Sequence, residues 1–284
     1  MPSLPQYVPQ RVVALQPSVT STLDRLGLLD RVVACTKWCV DVVPALRNHP
    51  RMIVADSWSA KSAEILEAQP DMVMASVPYQ LDAVAEILKA GIPFMGFAPH
   101  SLHDVFRDIY QMAAVMGVAE RGEELIAKME SEIATVRTKT EGAVAAANGR
   151  RPRVYCEEWG KPLIQSQGWV KELVEVAGGI FLGEAGAHTD EATVRAFDPD
   201  VILAAWCGAG DRVPLEKIIP ARGWEQTTAA RHGDVYCIND EYLNTPGPTL
   251  MQGLQAIAAA LHPEAFPNSP GVRRIAAVEA GGRR

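Results

Sequence analysis

SAEILEAQPDMVMA at residues 62–75 and EATVRAFDPDVILAA at residues 191–205 decide the fold. Each reads as a short helix, a connection ending in Pro-Asp, and an aliphatic run suited to one buried strand. Pro70-Asp71 and Pro199-Asp200 stand at matching points. One helix-turn-strand grammar used twice, more than a hundred residues apart, points to two similar α/β lobes.

Working outward from the first copy, RVVALQ (11–16) reads as a buried strand. Ser18 is placed to N-cap a helix that stops at Gly27. RVVAC (31–35) is a second strand, followed by an irregular stretch rich in Pro, Trp and Asp that runs to about residue 60. A helix (62–68), a strand (71–75), a helix (80–90) and a strand (92–97) complete a βαβ series. Residues 101–116 form a helix with Leu102, Val105, Phe106, Ile109, Met112 and Met116 on one stripe. Gly117 interrupts, and 120–146 restarts as a helix with Leu125, Ile126, Met129, Ile133 and Val136 at helical spacing. At 1.5 Å per residue it is roughly 40 Å long. AAANGRRP stops it, and RVYCEEW (153–159) opens the second α/β run.

The expected fold is therefore α/β, with two Rossmann-like lobes of mostly parallel sheet bridged by a single long helix. Its expected divisions are an N-terminal lobe at 1–100, a helical connector at 101–150, a C-terminal lobe at 151–265 and a tail at 266–284. A flexible Gly/Ser linker is absent, so large lobe motions are not expected.

The 284 residues carry a net charge of −7, with 48% hydrophobic and 21% charged residues, which are ordinary globular values. The basic residues are dispersed, so no nucleic-acid partner is expected. No stretch approaches the roughly 20 apolar residues of a membrane span. MPSLPQYVPQ has no basic n-region, apolar h-region or cleavage site, leaving a cytoplasmic location or an export signal outside this sequence. Five cysteines, at 35, 39, 156, 207 and 237, are too few and too sparse for a disulfide framework and fit a reducing compartment somewhat better.

Enzyme motifs are missing: there is no GxSxG, Walker A, HExxH or CxxC. GAG at 208–210 follows a strand, but Val213 replaces the third glycine of a dinucleotide fingerprint. His100 and His103 form HxxH without a third ligand nearby, so they read as polar residues at a helix start. Cys35 closes a strand as a small buried hydrophobe, whereas Cys39 is expected to be exposed in a loop. The aromatics are more telling. Of six Trp, four (Trp38, Trp58, Trp159 and Trp206) fall after predicted strands, with Tyr79 and Tyr242 at similar positions. Loops at the carboxyl ends of strands form the ligand crevice of open α/β sheets, so these side chains predict an aromatic-walled cleft. Trp169 and Trp224 open helical or turn segments and read as structural.

The chain resembles the helical-backbone substrate-binding proteins of ABC importers for cobalamin, haem and ferric siderophores, most of all the cobalamin-binding branch. The resemblance runs from about residue 11 to 262. It rests on RVVALQPSVT, LGLLDRVVACT, SAEILEAQPDMVMA, LKAGIPFMGF and LHDVFRDIYQMAAVMG in the first half. In the second half it rests on RPRVYCEEWGKPL, WVKELVEVAGG, RGWEQTTAARHGDVYCIND and EYLNTPGPTLMQGLQAIAAALHP. It implies a non-enzymatic periplasmic protein, a monomer, that binds a small molecule and works with an ABC permease dimer.

By position, the family's ligand loops fall on Trp38, Cys39, Ser57, Trp58, Tyr79, Glu158, Trp159, Trp206, Cys207, Asp240, Glu241, Tyr242 and Asn244. Of the family's two permease-docking carboxylates, the first falls on Glu64 and the second on Ala192, with Asp190 and Glu191 beside it and Glu191 the expected contact. No cofactor or resident metal is implied; the ligand implied is cobalamin or another corrinoid. Aromatic walls would bury the macrocycle faces, and Glu158, Asp240, Glu241 and Asn244 would bond its amide rim. An anionic siderophore would want clustered Arg or Lys, and the nearest are only Lys37, Lys161 and Arg212. A haem reading would need Tyr79, Tyr242 or His188 on iron. A cytoplasmic corrinoid carrier or sensor is the contrasting reading.

Overall fold

The computed structural model describes residues 7–48, 50–56, 59–77, 80–266 and 270–276. Two compact units divide the chain within one helix: Met1–Met129 with Pro246–Pro248, and Glu130–Thr245 with Thr249–Arg284.

In the first unit, β1 (Val12–Ala14), α1 (Pro17–Arg25), β2 (Val32–Thr36), α2 (Lys37–Val42) and β3 (Met52–Val54) lead to α3 (Ser62–Glu67), β4 (Met72–Ser76), α4 (Leu81–Lys89) and β5 (Phe94–Phe97). The strands form one sheet in the order β3-β2-β1-β4-β5, every neighbouring pair parallel. Its central strands are buried on both faces, which is why they read as continuous aliphatic runs. Two findings differ from the sequence expectation. The stretch between β2 and residue 60 is not wholly irregular, since it holds α2 and the edge strand β3. Ser18 does not cap α1; Pro17 takes the first helical turn, Gln16 is the N-cap, and Ser18 is buried inside the helix. Pro is pre-organised for that first turn, and this moves the start two residues upstream.

α5 (Leu102–Val115) buries Leu102, Val105, Ile109 and Met112 as the stripe predicts, and begins with a Ser101–Asp104 capping box. Gly117, at φ +75°, breaks the chain before α6 (Ala119–Ala146). These 28 residues run about 42 Å and carry the chain from one unit into the other. Asn148 and Gly149, both left-handed, end the helix.

The second unit contains β6 (Arg153–Gly160), β7 (Leu163–Gln165), α7 (Gly168–Val176), β8 (Ile180–Phe181), β9 (His188–Thr189) and α8 (Glu191–Phe197). β10 (Val201–Ala204), α9 (Leu215–Ala221), α10 (Thr228–His232), β11 (Val235–Ile238), α11 (Leu250–Leu261) and β12 (Val272–Arg274) follow. The sheet order is β12-β11-β10-β6-β7-β9, with β8 also pairing β6. β6, β10 and β11 run parallel, while β7, β9 and β12 add antiparallel pairings, so this sheet is mixed.

The repeated grammar has one hydrogen-bonding geometry in both units. Asp71 accepts from the Arg11 N–H at 2.9 Å, and Asp200 from the Arg153 N–H at 2.8 Å. The Asp71 and Asp200 amides return bonds of 2.9 Å to the Arg11 and Arg153 carbonyls. Both arginines then reach the end of the preceding helix, Arg11 to the Ala68 carbonyl and Arg153 to that of Phe197. Gln69 and Asp198, each just before the proline, are left-handed. Pro-Asp thus ties each helix end to the start of the neighbouring strand.

Candidate functional site

Because β6, β10 and β11 are parallel neighbours, the loops leaving their carboxyl ends come together. The end of β6 and these loops bring four of the expected residues into one cluster: Glu158, Cys207, Asp240 and Asn244. Asn244 Nδ2 donates to the Ala205 carbonyl at 2.7 Å and lies 3.3 Å from Cys207 Sγ. That sulfur is 3.8 Å from Glu158 Oε1, and Gln167 donates to Glu158 Oε2 at 2.8 Å. The Asn244 Oδ1 atom is buried without a partner.

Asp240 follows β11 and reaches across to the loop after β10. Its carboxylate accepts the N–H groups of Gly208 and Gly210 at 2.7 and 2.8 Å. Both glycines have positive φ, which lets the amides on either side of Ala209 converge on one anion. The GAG motif is thus an anion nest already filled by the chain's own carboxylate. Burial pushes Asp240 above the ordinary carboxylate range, partly offset by these two amides. Burial raises Glu158 as well, against the opposing bond from Gln167. Desolvation, then the charges of Glu158 and Asp240, push the Cys207 thiol well up.

Trp159 lies within β6 near its end, 43% exposed, its indole donating to the Lys161 carbonyl at 3.0 Å. Trp206 follows β10 and is half-buried. Its indole donates to Glu157 Oε1 at 2.6 Å. Glu157 is buried and bonded to Arg222 Nη1 at 2.8 and 3.0 Å. Sequence reading missed Glu157, Arg222 and Gln167; the one available signal was a charge at an inward position of the β6 run. Glu241 and Tyr242 share the 3-10 turn Asp240–Tyr242. The Tyr242 ring packs on Gly271, where an added Cβ would sit 2.3 Å from it.

In the first unit, Trp38 and Cys39 lie in α2, not in a loop. Cys39 is fully buried, which corrects the expected exposure. The Thr36 N-cap starts a helix that turns its third residue inward, and Cys39 Sγ packs 3.3 Å from Thr36 Oγ1. Trp38 remains half-buried, with Lys37 Nζ 4.2 Å over its ring and its indole N–H buried without a partner. Ser57, Trp58 and Tyr79 fall outside the described residues. Glu64 Oε1 accepts the Ala55 N–H at 3.1 Å, and Glu191 is exposed in the first turn of α8. Trp169 and Trp224 are buried, donating to the carbonyls of Leu243 and Glu191, as structural tryptophans should. Among the described residues no three His, Cys, Asp or Glu side chains group to hold a metal ion. Nor is any described helix long and apolar enough to cross a membrane.

The chain is thus two α/β units, each built on parallel strands, joined in sequence by one long helix. The chain belongs to the periplasmic binding protein family, whose profile matches residues 12–242. An uncharacterized ABC transporter substrate-binding lipoprotein, YvrC, of Bacillus subtilis is 24% identical over 269 residues, covering 91% of this chain and 82% of the relative. A cobalamin-binding protein of Halobacterium salinarum is 24% identical over 266 residues, covering 89% and 70%. Among solved structures, the apo periplasmic heme-binding protein RhuT of Roseiflexus sp. RS-1 aligns with a TM-score of 0.78. It is 24% identical and covers 90% of this chain and 99% of that one. Other neighbours are described as binding vitamin B12 or molybdate, so the shared fold does not fix the ligand.

Proposed function

We propose that this chain captures a corrinoid, cobalamin or a close relative, and delivers it as a monomer to an ABC permease dimer on the periplasmic side of the membrane. One observation carries the choice of ligand: the Gly208 and Gly210 amides are spent on Asp240. The anion cradle of this loop is therefore filled, and Glu158 stands beside it without an Arg or Lys ion pair among the described residues. Haem propionates, ferric catecholates and molybdate all bring negative charge, which such a site repels. A corrinoid brings neutral amides, whose N–H groups suit the acceptors Glu158, Asp240 and the orphan Asn244 Oδ1. Trp206 and the exposed Trp159 supply flat apolar surface for the macrocycle.

In this reading Trp38, Ser57, Trp58 and Tyr79 form the first unit's share of the ligand contacts, with Cys39 a buried support for Trp38. Glu64 and Glu191 are the docking carboxylates. The relative named as cobalamin-binding adds support. Metal analysis of the protein as purified tests the reading. Cobalt or no metal agrees with it, whereas stoichiometric iron carried with haem contradicts it. Trp206→Ala and Trp58→Ala should each weaken cobalamin binding roughly tenfold or more.

A further inference from the structure

Behind the strand ends of the second unit lies a charged network that the ligand loops do not include. Glu157 and Arg222 form an ion pair whose side chains are 1% and 8% exposed. Burying both charges is costly, and an apolar pair of the same volume would serve stability as well or better. All of the pair's further bonds concern one neighbourhood. Tyr155 Oη donates to Glu157 Oε2 at 2.8 Å, and the Trp206 indole donates to Oε1. Arg222 Nη2 donates to the Gly160 carbonyl at 3.0 Å, and its guanidinium lies over the Trp206 and Trp224 rings.

Gly160 completes the arrangement. A Cβ there would stand 2.2 Å from Trp206 Cζ2 and 2.5 Å from Cε2. Gly160 is not among the residues with positive φ, so its backbone makes no demand for glycine. What requires glycine is the indole, which lies flat against the β6 main chain. One edge of Trp206 is held by a carboxylate, one face by a strand, and the guanidinium stands nearby.

We propose that Glu157, Arg222 and Gly160 are positioning residues that fix the Trp206 indole as a pre-set wall of the ligand site. This rests on the reading of Trp206 as a ligand contact. Fixing the ring before the ligand arrives removes the cost of ordering a large side chain on binding. It also explains a polar pair where packing alone asks for none. Glu157 acts through Trp206 and does not itself touch the ligand.

The test is a cycle on the whole chain labelled with 5-fluorotryptophan. The Trp206 ¹⁹F resonance is assigned by its loss in Trp206→Phe. Gly160→Ala and Glu157→Gln should each shift or broaden that resonance while leaving those of Trp38 and Trp58 in place. Cobalamin affinity should fall roughly tenfold in Gly160→Ala. In a Trp206→Ala background, where no ring meets the new methyl, Gly160→Ala should cost less than about twofold. An unmoved Trp206 resonance in both variants overturns the proposal, as does an equal affinity loss from Gly160→Ala in both backgrounds. If Gly160→Ala does not fold, Glu157→Gln carries the resonance test alone. If wild-type protein binds no cobalamin, the ligand reading fails, and the ¹⁹F cycle still decides whether the network holds the ring.

Discussion

Arg222→Met removes one half of the buried ion pair and keeps much of its length and apolar volume. The variant loses the 2.8 and 3.0 Å bonds to Glu157 and the 3.0 Å bond to the Gly160 carbonyl. Stranding one charge of a buried pair costs about 3–5 kcal/mol. Tyr155 and Trp206 still donate to Glu157, so the lower end, about 3 kcal/mol near neutral pH, is expected.

The loss should depend on pH, and its sign follows from Glu157. Burial holds this carboxyl above its ordinary range, with Arg222 the first of the groups that draw it back down. A group whose folded pKa exceeds its unfolded value, about 4.3, contributes fully below the unfolded value. That contribution fades as pH rises through the folded value. Removing Arg222 lifts the folded value further. The deficit should therefore shrink as pH falls from 7.5 to 5 through that raised value, towards the about 1–2 kcal/mol of the missing hydrogen bonds alone. Urea unfolding at pH 5 and pH 7.5, with equal slopes for both proteins, measures this directly. A loss below about 1 kcal/mol at pH 7.5 would refute the account of the pair. So would a loss that is the same at both pH values.

Asp200→Asn should lower stability by about 1–2 kcal/mol at pH 7, since it weakens bonds from the Arg153 amide and guanidinium and the Arg150 pair. Burial alone would raise Asp200, but these partners outweigh it and hold the carboxyl below its usual range. Its contribution is thus present above the unfolded pKa and lost as pH falls through the folded one, so the difference from wild type should close below about pH 4. Cys207 has the one thiol in an exposed residue among the five cysteines. Intact-mass analysis should therefore show one maleimide adduct, formed slowly at pH 7 and faster above pH 9, because the thiol is pushed up. Saturating cobalamin should slow that labelling at least severalfold, and an unchanged rate would place Cys207 away from the ligand.

What was legible in the sequence was whatever repeats or runs long. The aliphatic runs at 72–76 and 201–204 and the α5 stripe could be read because burial imposes a period on them. β3 escaped notice because it is three residues at a sheet edge with Ile53 half exposed, too short to show a pattern. α2 is six residues inside a Pro- and Trp-rich stretch, too short to show a helical period, so no local pattern signals that Cys39 turns inward. At the site, Glu158, Cys207, Asp240 and Asn244 could be placed because the family resemblance carries its ligand loops onto them, Glu158 standing near the end of β6. The partners that define their chemistry could not. Gly208 meets Asp240 across 32 residues, and Glu157 meets Arg222 across 65. Only strand order brings such pairs together, and local composition does not encode it.

Corrinoid capture is tested most directly by titrating cyanocobalamin into the full chain and following its absorbance and heat, with hemin in a parallel titration. The account predicts saturable one-to-one cobalamin binding at micromolar concentration or below, and hemin binding much weaker or undetectable. Hemin binding at that strength with no response to cobalamin would contradict it.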